Sequence, residues 1–303
     1  MLDLLSESLK GRCLFAIPKK GRLYEKCLQL LAGADIQFTR SHRLDVCLVR
    51  NHNMALVFLP AADIPRFVGE GNVHFGITGQ DMVAEADVNG LVSETLQLEF
   101  GKCKLQVQVP ERGDIKTVED LVGKKVVTSF EVLAGRYFGE LDAKSAKEGV
   151  KTKIEYIGGS VEAACALGLA DGIVDLVESG ETMRAAGLQA IETILTSQAV
   201  LVRSNKPSDE HDALIERITS RIAGVVAAGK YVLCNYNIPR KVVQEATRVT
   251  PGRRAATVSP LDDPEWVAVS SMVLKAEVAG VMDKLQAIGA SDILVIGLNN
   301  CRV

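Results

Sequence analysis

Apolar runs and amphipathic segments alternate over the first two thirds of the chain. The helical spacing of apolar residues predicts a helix over 23–32 and a short helix over 61–68. Strands that are apolar on both faces and separated by helices are typical of a mostly parallel sheet with both sides covered. We therefore expect an α/β lobe over residues 1–97. Its buried strands are predicted at 13–18, 45–50, 55–59 and 75–79.

A second α/β lobe is predicted over residues 98–189. Residues 104–109 alternate between apolar and polar, as in a half-exposed strand. A strand over 194–202 would return the chain to the first lobe, which residues 190–208 complete. Two lobes joined by two crossings enclose a cleft, and such clefts commonly bind ligands. The other strands of this lobe are predicted at 125–129, 153–157 and 173–177.

A polar, proline-containing segment at 205–210 predicts a linker before a third region, residues 210–303. This region begins with a long amphipathic helix over 213–228. The elements after it follow the order βαββαβ, which is that of a ferredoxin-like domain. By analogy of fold alone, such a domain often senses an amino acid. The strands are predicted at 231–236, 256–260, 266–273 and 292–296, and the helices at 239–246 and 278–288.

Composition limits the classes of partner. The chain has 303 residues, of which 47% are hydrophobic and 24% charged, and its net charge is −3. These values are typical of a soluble globular protein without general attraction to nucleic acid or membrane. No apolar run has the length of a membrane span, and the first residues show no signal-peptide pattern. We therefore expect a cytoplasmic protein that binds neither nucleic acid nor membrane.

The strongest chemical signal is the turn at 179–182, which follows the predicted strand at 173–177. The first turn of a helix has N–H groups without internal partners, and its dipole favours an anion. Asp175 and Glu178 stand just before the turn, where carboxylates accept hydrogen bonds from ribose hydroxyls or hold Mg²⁺. A phosphorylated sugar fits this pattern, and so does an ordinary capped helix. The turn itself consists of Ser179, Gly180, Glu181 and Thr182.

Glycine and charged residues also follow predicted strands of the first lobe. Ligands bind at the carboxyl ends of strands in open α/β sheets. Gly21 allows a close approach of the backbone, and Arg22 offers a planar fork for phosphate or a stacking surface for a base. A solvated basic turn is the alternative. The candidates are Lys20, Gly21 and Arg22 after the first strand, and Gly79 and Asp81 after the strand at 75–79.

These segments resemble the ATP phosphoribosyltransferases, the enzymes that open histidine biosynthesis. The resemblance is carried by Pro18-Lys19-Lys20-Gly21-Arg22-Leu23, by Gly76-Ile77-Thr78-Gly79-Gln80-Asp81 and by residues 160–188. It covers nearly the whole chain and points to the long form of the family, similar to its fungal members. It implies an α/β fold with a bilobal periplasmic-binding-protein-like catalytic core and a C-terminal ferredoxin-like regulatory domain.

The resemblance also implies a reaction and roles for the candidate residues. ATP and phosphoribosyl pyrophosphate would condense to N1-(5-phosphoribosyl)-ATP and pyrophosphate, with Mg²⁺ as cofactor. The turn at 179–182 would bind phosphoribosyl pyrophosphate, although Glu181 stands where many relatives have Arg or Lys. Asp175 and Glu178 would be the catalytic and metal-binding residues. ATP would be bound by Lys20, Gly21, Arg22, Arg43, Arg50, Gly79 and Asp81.

Residues 250–261 resemble the regulatory domain of the long-form enzymes, in which histidine binds. We therefore expect histidine to act as a feedback inhibitor, and we expect the homo-oligomers, dimers or hexamers, that the family forms. Many bacterial members carry acidic residues where this chain has asparagine. A non-catalytic cytosolic sensor of nucleotides or amino acids with the same fold is the alternative function. The expected histidine contacts are Asn235, Asn237, Thr257 and Ser259.

Overall fold

The chain divides into two compact units in the computed structural model, which describes residues 7–40, 44–145, 149–206 and 209–302. The first unit comprises Met1–Leu28 with Phe38–Ile215, and the second comprises Gln29–Gln37 with Glu216–Val303. Within the described ranges, the first unit contains a six-stranded and a five-stranded sheet, and the second contains a four-stranded sheet.

The six-stranded sheet forms the first lobe, with the spatial order β2-β3-β1-β4-β11-β5. Its strands are β1 (Cys13–Pro18), β2 (Val46–Leu48), β3 (Met54–Leu59), β4 (Phe75–Gly79), β5 (Val92–Gln97) and β11 (Ala199–Ser204). Strands β3, β1 and β4 are parallel, and the other three pairings are antiparallel. The carboxyl ends of β1, β3 and β4 therefore share one edge. The accompanying helices are α1 (Tyr24–Gly33), α2 (Ile64–Gly69) and α3 (Gln80–Glu85).

The five-stranded sheet forms the second lobe, with the spatial order β10-β6-β9-β7-β8. Its strands are β6 (Cys103–Pro110), β7 (Lys125–Thr128), β8 (Lys153–Tyr156), β9 (Gly172–Val177) and β10 (Leu188–Ser197). Its helices are α4 (Glu131–Lys144), α5 (Ala163–Ala166) and α6 (Glu181–Ala185). Strands β9, β7 and β8 are parallel, whereas β6 and β10 are antiparallel to their neighbours. The chain crosses between the lobes after β5 and again between β10 and β11, so the bilobal prediction is confirmed.

Each lobe has its own apolar core. In the first lobe, the rings of Phe15 and Phe75 stack with their centroids 4.0 Å apart, and both side chains are fully buried. In the second lobe, Phe130 and Phe138 pack with Leu105 against the sheet. Complete burial of one such side chain contributes about 1.5–3 kcal/mol, which makes these clusters the main support of the two sheets.

The second unit has the predicted ferredoxin-like layout. The long helix α7 (Asp209–Lys230) leads into an antiparallel sheet with the order β13-β14-β12-β15. Its elements are β12 (Tyr231–Pro239), α8 (Val243–Val249), β13 (Thr257–Pro260), β14 (Trp266–Leu274), α9 (Val278–Ala287) and β15 (Ser291–Gly297). Helices α8 and α9 cover one face of the sheet, where Tyr236, Val269 and Leu285 are buried. None of the described helices is both long and apolar enough to cross a bilayer.

The structure differs from the sequence expectations in the strands of the first unit. The predicted strand at 194–202 is two strands, because the chain leaves the five-stranded sheet and enters the six-stranded sheet on either side of Gln198. Both sheets are mixed rather than mostly parallel. In the six-stranded sheet β2 forms a hairpin with β3, and β11 pairs antiparallel with both β4 and β5. In the five-stranded sheet β6 pairs antiparallel with both β9 and β10.

Three elements of this unit are absent from the sequence prediction, namely β5, α3 and α4. Strand β5 carries polar, largely exposed side chains, so it lacks the apolar run that marks its neighbours. Helix α4 buries only Ala134 and Phe138, so its apolar stripe is weak.

Gly76 in β4 stands where a side chain has no room. A Cβ at this position would lie 2.7 Å from Ile64 Cγ2 and 3.1 Å from the backbone oxygen of Ala16. We expect Gly76→Ala to lower the free energy of unfolding of the first unit by about 1–3 kcal/mol, because overpacking a buried sheet displaces its neighbours. Urea denaturation of the purified full chain measures this change.

Gly135→Ala is the matched control. Gly135 lies on the exposed side of α4, and nothing lies within 4 Å of its Cβ position. Alanine there should leave the free energy of unfolding unchanged or raise it by about 0.5–1 kcal/mol. Equal denaturation midpoints for the wild type and Gly76→Ala would contradict the packing argument.

Candidate active site

The turn between β9 and α6 is built around a left-handed glycine. Gly180 has φ +75°, a conformation that glycine adopts at little cost. A Cβ at this position would lie 2.7 Å from Arg184 Nη1, so a larger residue would displace that guanidinium. The Glu181 N–H donates to Ser179 Oγ over 3.4 Å, whereas no described residue accepts a hydrogen bond from the N–H of Gly180 or Thr182. Neither amide is therefore committed to another described residue; Thr182 is exposed, whereas Gly180 is buried.

Arg184 adds a cation to this turn. Helix α6 has only five residues, so its dipole is weak. Arg184 Nη2 donates to the backbone oxygen of Ser179 over 3.1 Å, which folds the guanidinium back onto the turn. Its charge offsets that of the exposed Glu181. Arg184 is not among the residues selected from the sequence; its position one helical turn after Gly180 is the signal that could have identified it.

Asp175 lies in β9 as a half-buried carboxyl group. Its Oδ1 accepts a hydrogen bond from the Leu176 N–H over 2.8 Å. Burial raises the pKa of Asp175 against the opposing effect of this hydrogen bond, and the charge of Glu162 raises the pKa further. A carboxylate in this setting is stabilised by any ligand that brings a hydroxyl group or a cation to it.

Glu178 is the second predicted carboxylate, and the structure pairs it with Arg22 rather than with Asp175. Its Oε1 accepts from Arg22 Nη1 over 2.8 Å, and half of its side chain is exposed. No group of three or more His, Cys, Asp or Glu side chains in the described part of the chain could hold a metal ion. Since Mg²⁺ is usually bound by one or two carboxylates together with substrate phosphates, either Asp175 or Glu178 by itself could serve such an ion.

Arg22 connects the two lobes. Its Nη1 donates to the Gly101 backbone oxygen over 2.7 Å as well as to Glu178, and its Nη2 lies 3.5 Å from Asp81 Oδ2. Burial lowers the pKa of Arg22, but the hydrogen bond to Glu178 and the charge of Asp81 outweigh this effect, so the pKa lies above its ordinary value. Because Arg22 follows β1 and Glu178 follows β9, a single guanidinium links the ends of strands in both sheets.

Asp81 is the buried partner of this arginine. Its side chain is 1% exposed. Ser197 Oγ donates to Asp81 Oδ1 over 2.6 Å and accepts from the Asp81 N–H over 3.0 Å. The other oxygen, Oδ2, is buried and makes no hydrogen bond with a described residue. A buried carboxylate with an unused oxygen is costly unless a cation lies near it, which is the part that Arg22 plays.

Five of the residues predicted to bind ATP meet at one edge of the six-stranded sheet. Strands β1 and β4 are adjacent and parallel, so the residues after them lie side by side. Lys20 and Gly21 are exposed there, and Gly21 has φ +87°. A Cβ at position 79 would collide with Asp81 Oδ1, so the buried carboxylate requires a glycine there. The five are Lys20, Gly21, Arg22, Gly79 and Asp81.

The structure does not bring Arg50 to this edge. Strand β2 runs antiparallel to β3, with Leu48 opposite Ala55, so Arg50 lies beside the amino end of β3. The length of β3, about 17 Å, separates that end from the carboxyl edge. Arg43, the other arginine selected from the sequence, lies outside the described residues.

Arg40 is a cation at the carboxyl edge that was not selected from the sequence. Its guanidinium carbon lies 3.8 Å from the centroid of the Phe58 ring, near the end of β3. Nη1 donates to the Tyr24 hydroxyl over 3.0 Å, Nη2 lies 3.8 Å from Asp45 Oδ1, and Nε is buried without a partner among the described residues. A cation over an aromatic face is stabilised by the ring. No sequence signal marks this contact, because the ring and the arginine lie far apart along the chain.

The residues predicted to contact histidine lie on the face of the four-stranded sheet that α8 and α9 leave uncovered. The register places Asn235 and Thr257 on either side of Ser270. It places Asn237 and Ser259 on either side of Ala268 in the next row of the same face. Asn235 Oδ1 is buried and has no partner among the described residues. The four residues are Asn235, Asn237, Thr257 and Ser259.

Asp292 brings a carboxylate to the same face. It lies in β15 at a register shift opposite β12, and its φ of +49° is in the left-handed region. Asn237 Nδ2 donates to Asp292 Oδ2 over 3.0 Å. A non-glycine residue held at positive φ is often found at a binding site. Asp292 was not selected from the sequence, because a β-bulge has no marker in the apolar pattern.

Comparisons with known proteins agree over the whole chain. The family model described as ATP phosphoribosyltransferase matches residues 60–224, and the model described as HisG, C-terminal domain, matches residues 228–300. The ATP phosphoribosyltransferase of Yarrowia lipolytica is 59% identical over 302 residues, and that of Saccharomyces cerevisiae is 53% identical over 302 residues. Each alignment covers 100% of this chain and 100% of the relative.

A solved structure supports the fold. The ATP phosphoribosyl transferase (HisG:HisZ) complex from Thermotoga maritima contains a chain that is similar with a TM-score of 0.56 and 23% sequence identity. The alignment covers 70% of this chain and 98% of that chain.

Removal of Arg22 tests its pairing with Asp81. We expect Arg22→Met to lower the free energy of unfolding by about 2 kcal/mol, because it leaves a buried carboxylate without a cation. In combination with Asp81→Asn the loss should be smaller than the sum of the two single losses, with a coupling of about 0.5–3 kcal/mol. Urea denaturation of the three variants and the wild type provides the cycle.

Arg66→Met is the matched control, because Arg66 forms a 2.7 Å ion pair with Glu70 on the surface, where 75% of its side chain is exposed. This substitution should leave the denaturation midpoint nearly unchanged. Strictly additive effects of Arg22→Met and Asp81→Asn would show that the two side chains do not stabilise each other.

Proposed function

Because the chain belongs to the ATP phosphoribosyltransferase family, we propose that it condenses ATP with phosphoribosyl pyrophosphate in the cleft between its two lobes. The products are N1-(5-phosphoribosyl)-ATP and pyrophosphate, as befits a transferase of histidine biosynthesis. The observation that carries this proposal is the Arg22–Glu178 bridge of 2.8 Å. The bridge joins the edge that carries Lys20 and Gly79 to the residue just before the turn at 179–182, which supports a site where two phosphorylated substrates meet.

The reaction demands positioning and charge stabilisation more than covalent chemistry. Adenine N1 forms a bond to the anomeric carbon of the ribose while the bond from that carbon to the pyrophosphate oxygen breaks. The sugar centre becomes cationic and the leaving group takes the electron pair. Donors and carboxylates that are already fixed before reaction lower this barrier most effectively.

The turn at 179–182 is the proposed site of the 5′-phosphate. The N–H groups of Gly180 and Thr182 would donate to the phosphate oxygens, together with the hydroxyls of Ser179 and Thr182. Arg184 supplies the charge that the five-residue helix α6 lacks. Glu181 is exposed, so its carboxylate can point to solvent rather than to the phosphate.

Asp175 and Glu178 are proposed to serve the pentose and its leaving group. They would accept hydrogen bonds from the ribose hydroxyls or hold Mg²⁺, which would neutralise pyrophosphate when bound. Only Oε1 of Glu178 is engaged by Arg22, so Oε2 is available for either role, and complete transfer of the carboxylate to a ligand would release Arg22. That release would free one N–H of Arg22 Nη1 for a phosphate of ATP or expose the guanidinium plane to the base, while Gly101 and Asp81 keep the side chain in place.

The test of this function is pyrophosphate release by the purified chain supplied with ATP and phosphoribosyl pyrophosphate. Turnover that requires both substrates supports the proposal. A non-catalytic sensor would bind nucleotide and release no pyrophosphate. The cytosolic location and the assembly into dimers or hexamers belong to the same proposal and rest on the family, and light scattering of the purified chain tests the assembly.

Histidine is the proposed feedback inhibitor, and the uncovered face of the four-stranded sheet is its proposed site. This face combines the amides of Asn235 and Asn237 with the hydroxyls of Thr257 and Ser259. Asp292 adds a carboxylate that can pair with an ammonium or imidazolium group. Asp292 on β15 would thus supply the negative charge that Asn235 and Asn237 on β12 lack, where many bacterial members of the family have acidic residues.

Asp175→Asn tests the catalytic role of this carboxyl group. We expect turnover to fall tenfold or more, which corresponds to about 1.4 kcal/mol of transition-state stabilisation. An amide keeps the size of the side chain but removes the charge that would act on the sugar or on Mg²⁺. Glu140→Gln, an exposed substitution on α4 of the same lobe, should retain wild-type turnover. Full activity of folded Asp175→Asn would remove the proposed role.

Asp292→Asn tests the histidine site. We expect the histidine concentration that halves the rate to rise about tenfold, because a charge-assisted hydrogen bond is lost. Rates are normalised to each variant's own rate without histidine. Asp283→Asn, on the exposed side of α9, should keep wild-type inhibition. Unaltered inhibition of Asp292→Asn would exclude this carboxylate from the site.

A further inference from the structure

Three arginines that the functions above do not use line a cavity in the second unit. The cavity has a volume of about 620 Å³ and lies at the β13–β14 side of the sheet, where it includes the row of Thr257 and Ser270. This volume is within the range of small-molecule sites. Its charged and hydroxyl-bearing residues are Arg253, Arg254, Arg302, Thr257, Ser270 and Ser271.

The cavity holds positive charge without a countercharge. No carboxylate is among its lining residues. Within the described part of the second unit, none of the three guanidiniums forms an ion pair; Arg302 donates to the neutral Asn300 side chain, and Arg253 lies 5.8 Å from the Tyr231 ring centroid. Glu277 lies in an adjoining cavity with Arg253 but forms no salt bridge with it. A cluster of positive charges without a countercharge favours the binding of an anion, even though the whole chain has a net charge of −3.

The backbone presents two of these arginines in a fixed way. Gly252 has φ +68°, and a Cβ there would lie 3.0 Å from both the Ala255 backbone oxygen and Ser271 Oγ. A side chain has little room there, so the turn that carries Arg253 and Arg254 packs closely against Ser271 only because residue 252 has no Cβ. The turn needs glycine, since other residues rarely adopt this φ.

The rest of the lining suits a phosphorylated molecule. The hydroxyls of Thr257 and Ser270 are cross-strand neighbours in the register of β13 and β14. Leu233 and Met272 are cross-strand neighbours in the next row and supply an apolar surface. Guanidinium forks and hydroxyls match the geometry of phosphate oxygens, and the apolar surface can accept the organic part of the ligand.

We propose that this cavity binds a phosphorylated small molecule with at least two negative charges, at a site separate from the cleft of the first unit. Because Thr257 belongs both to this cavity and to the proposed histidine site, the anion would bind next to the inhibitor and change its affinity. The anion site itself depends neither on the proposed reaction nor on histidine.

The test is arginine modification read out residue by residue. Phenylglyoxal is reacted with the full chain in the presence and absence of inorganic tripolyphosphate, and the modified peptides are quantified by mass spectrometry. We expect tripolyphosphate to slow the modification of Arg253 and Arg254 at least tenfold. Arg248, exposed on α8 outside the cavity, should react at the same rate in both samples. Arg22 belongs to the first unit, so any protection of Arg22 by tripolyphosphate is quantified on its own peptide and does not count as evidence for the cavity.

A variant strengthens the test. Arg254→Gln should abolish the protection of Arg253, because the bidentate partner of the anion is lost, whereas Arg248→Gln should not. Equal modification rates with and without tripolyphosphate would overturn the proposal. So would arginines that fail to react in the free protein, because a second copy of the chain would then cover the cavity. Neither result would affect the pyrophosphate-release assay.

Discussion

The bridge made by Arg22 is the interaction on which the arrangement of the first unit depends. Its two carboxylate partners differ in exposure, since the Asp81 side chain is 1% exposed and that of Glu178 is 50% exposed. Solvent and salt screen the exposed pair far more than the buried one. Asp81 therefore acts as the permanent anchor, and Glu178 as the partner that a ligand can replace. An arginine held in this way would stay in position if a ligand displaced Glu178.

Two glycines make this placement of charge possible. Gly79 leaves room for the carboxylate of Asp81, and Gly180 leaves room for the guanidinium of Arg184. In both cases a charged side chain occupies the volume that a Cβ would take. The motif glycines therefore have a specific physical role, which is to let a charge lie directly against the backbone.

An acidic chain that binds phosphorylated molecules has to concentrate its cations locally. The first unit does so at the carboxyl edge of its sheet, with Arg40 on the Phe58 ring, and at the turn with Arg184. The second unit does so in the cavity with Arg253 and Arg254. Arg40 is fixed by an aromatic ring and Arg184 by a backbone carbonyl, which lowers the conformational entropy that a ligand would otherwise have to remove.

The apolar pattern by itself determined the positions of most elements. The bounds predicted for β1 and β4 are those observed, and the βαββαβ order of the second unit was readable, because a buried strand or a helix face leaves a continuous local signature. The family motifs also marked Gly79, Asp81 and the turn at 179–182. Elements with few buried side chains, such as β5 and α4, left no such signature.

Only the tertiary structure decided which side chains meet. Arg22 and Glu178 are 156 positions apart in the sequence, and their contact depends on how the two sheets are joined. The same holds for the position of Arg50 away from the site, for Arg40 on its ring and for Asp292 at its bulge. A local pattern records what a segment buries, whereas partners are chosen by strand order and register, which no single segment contains.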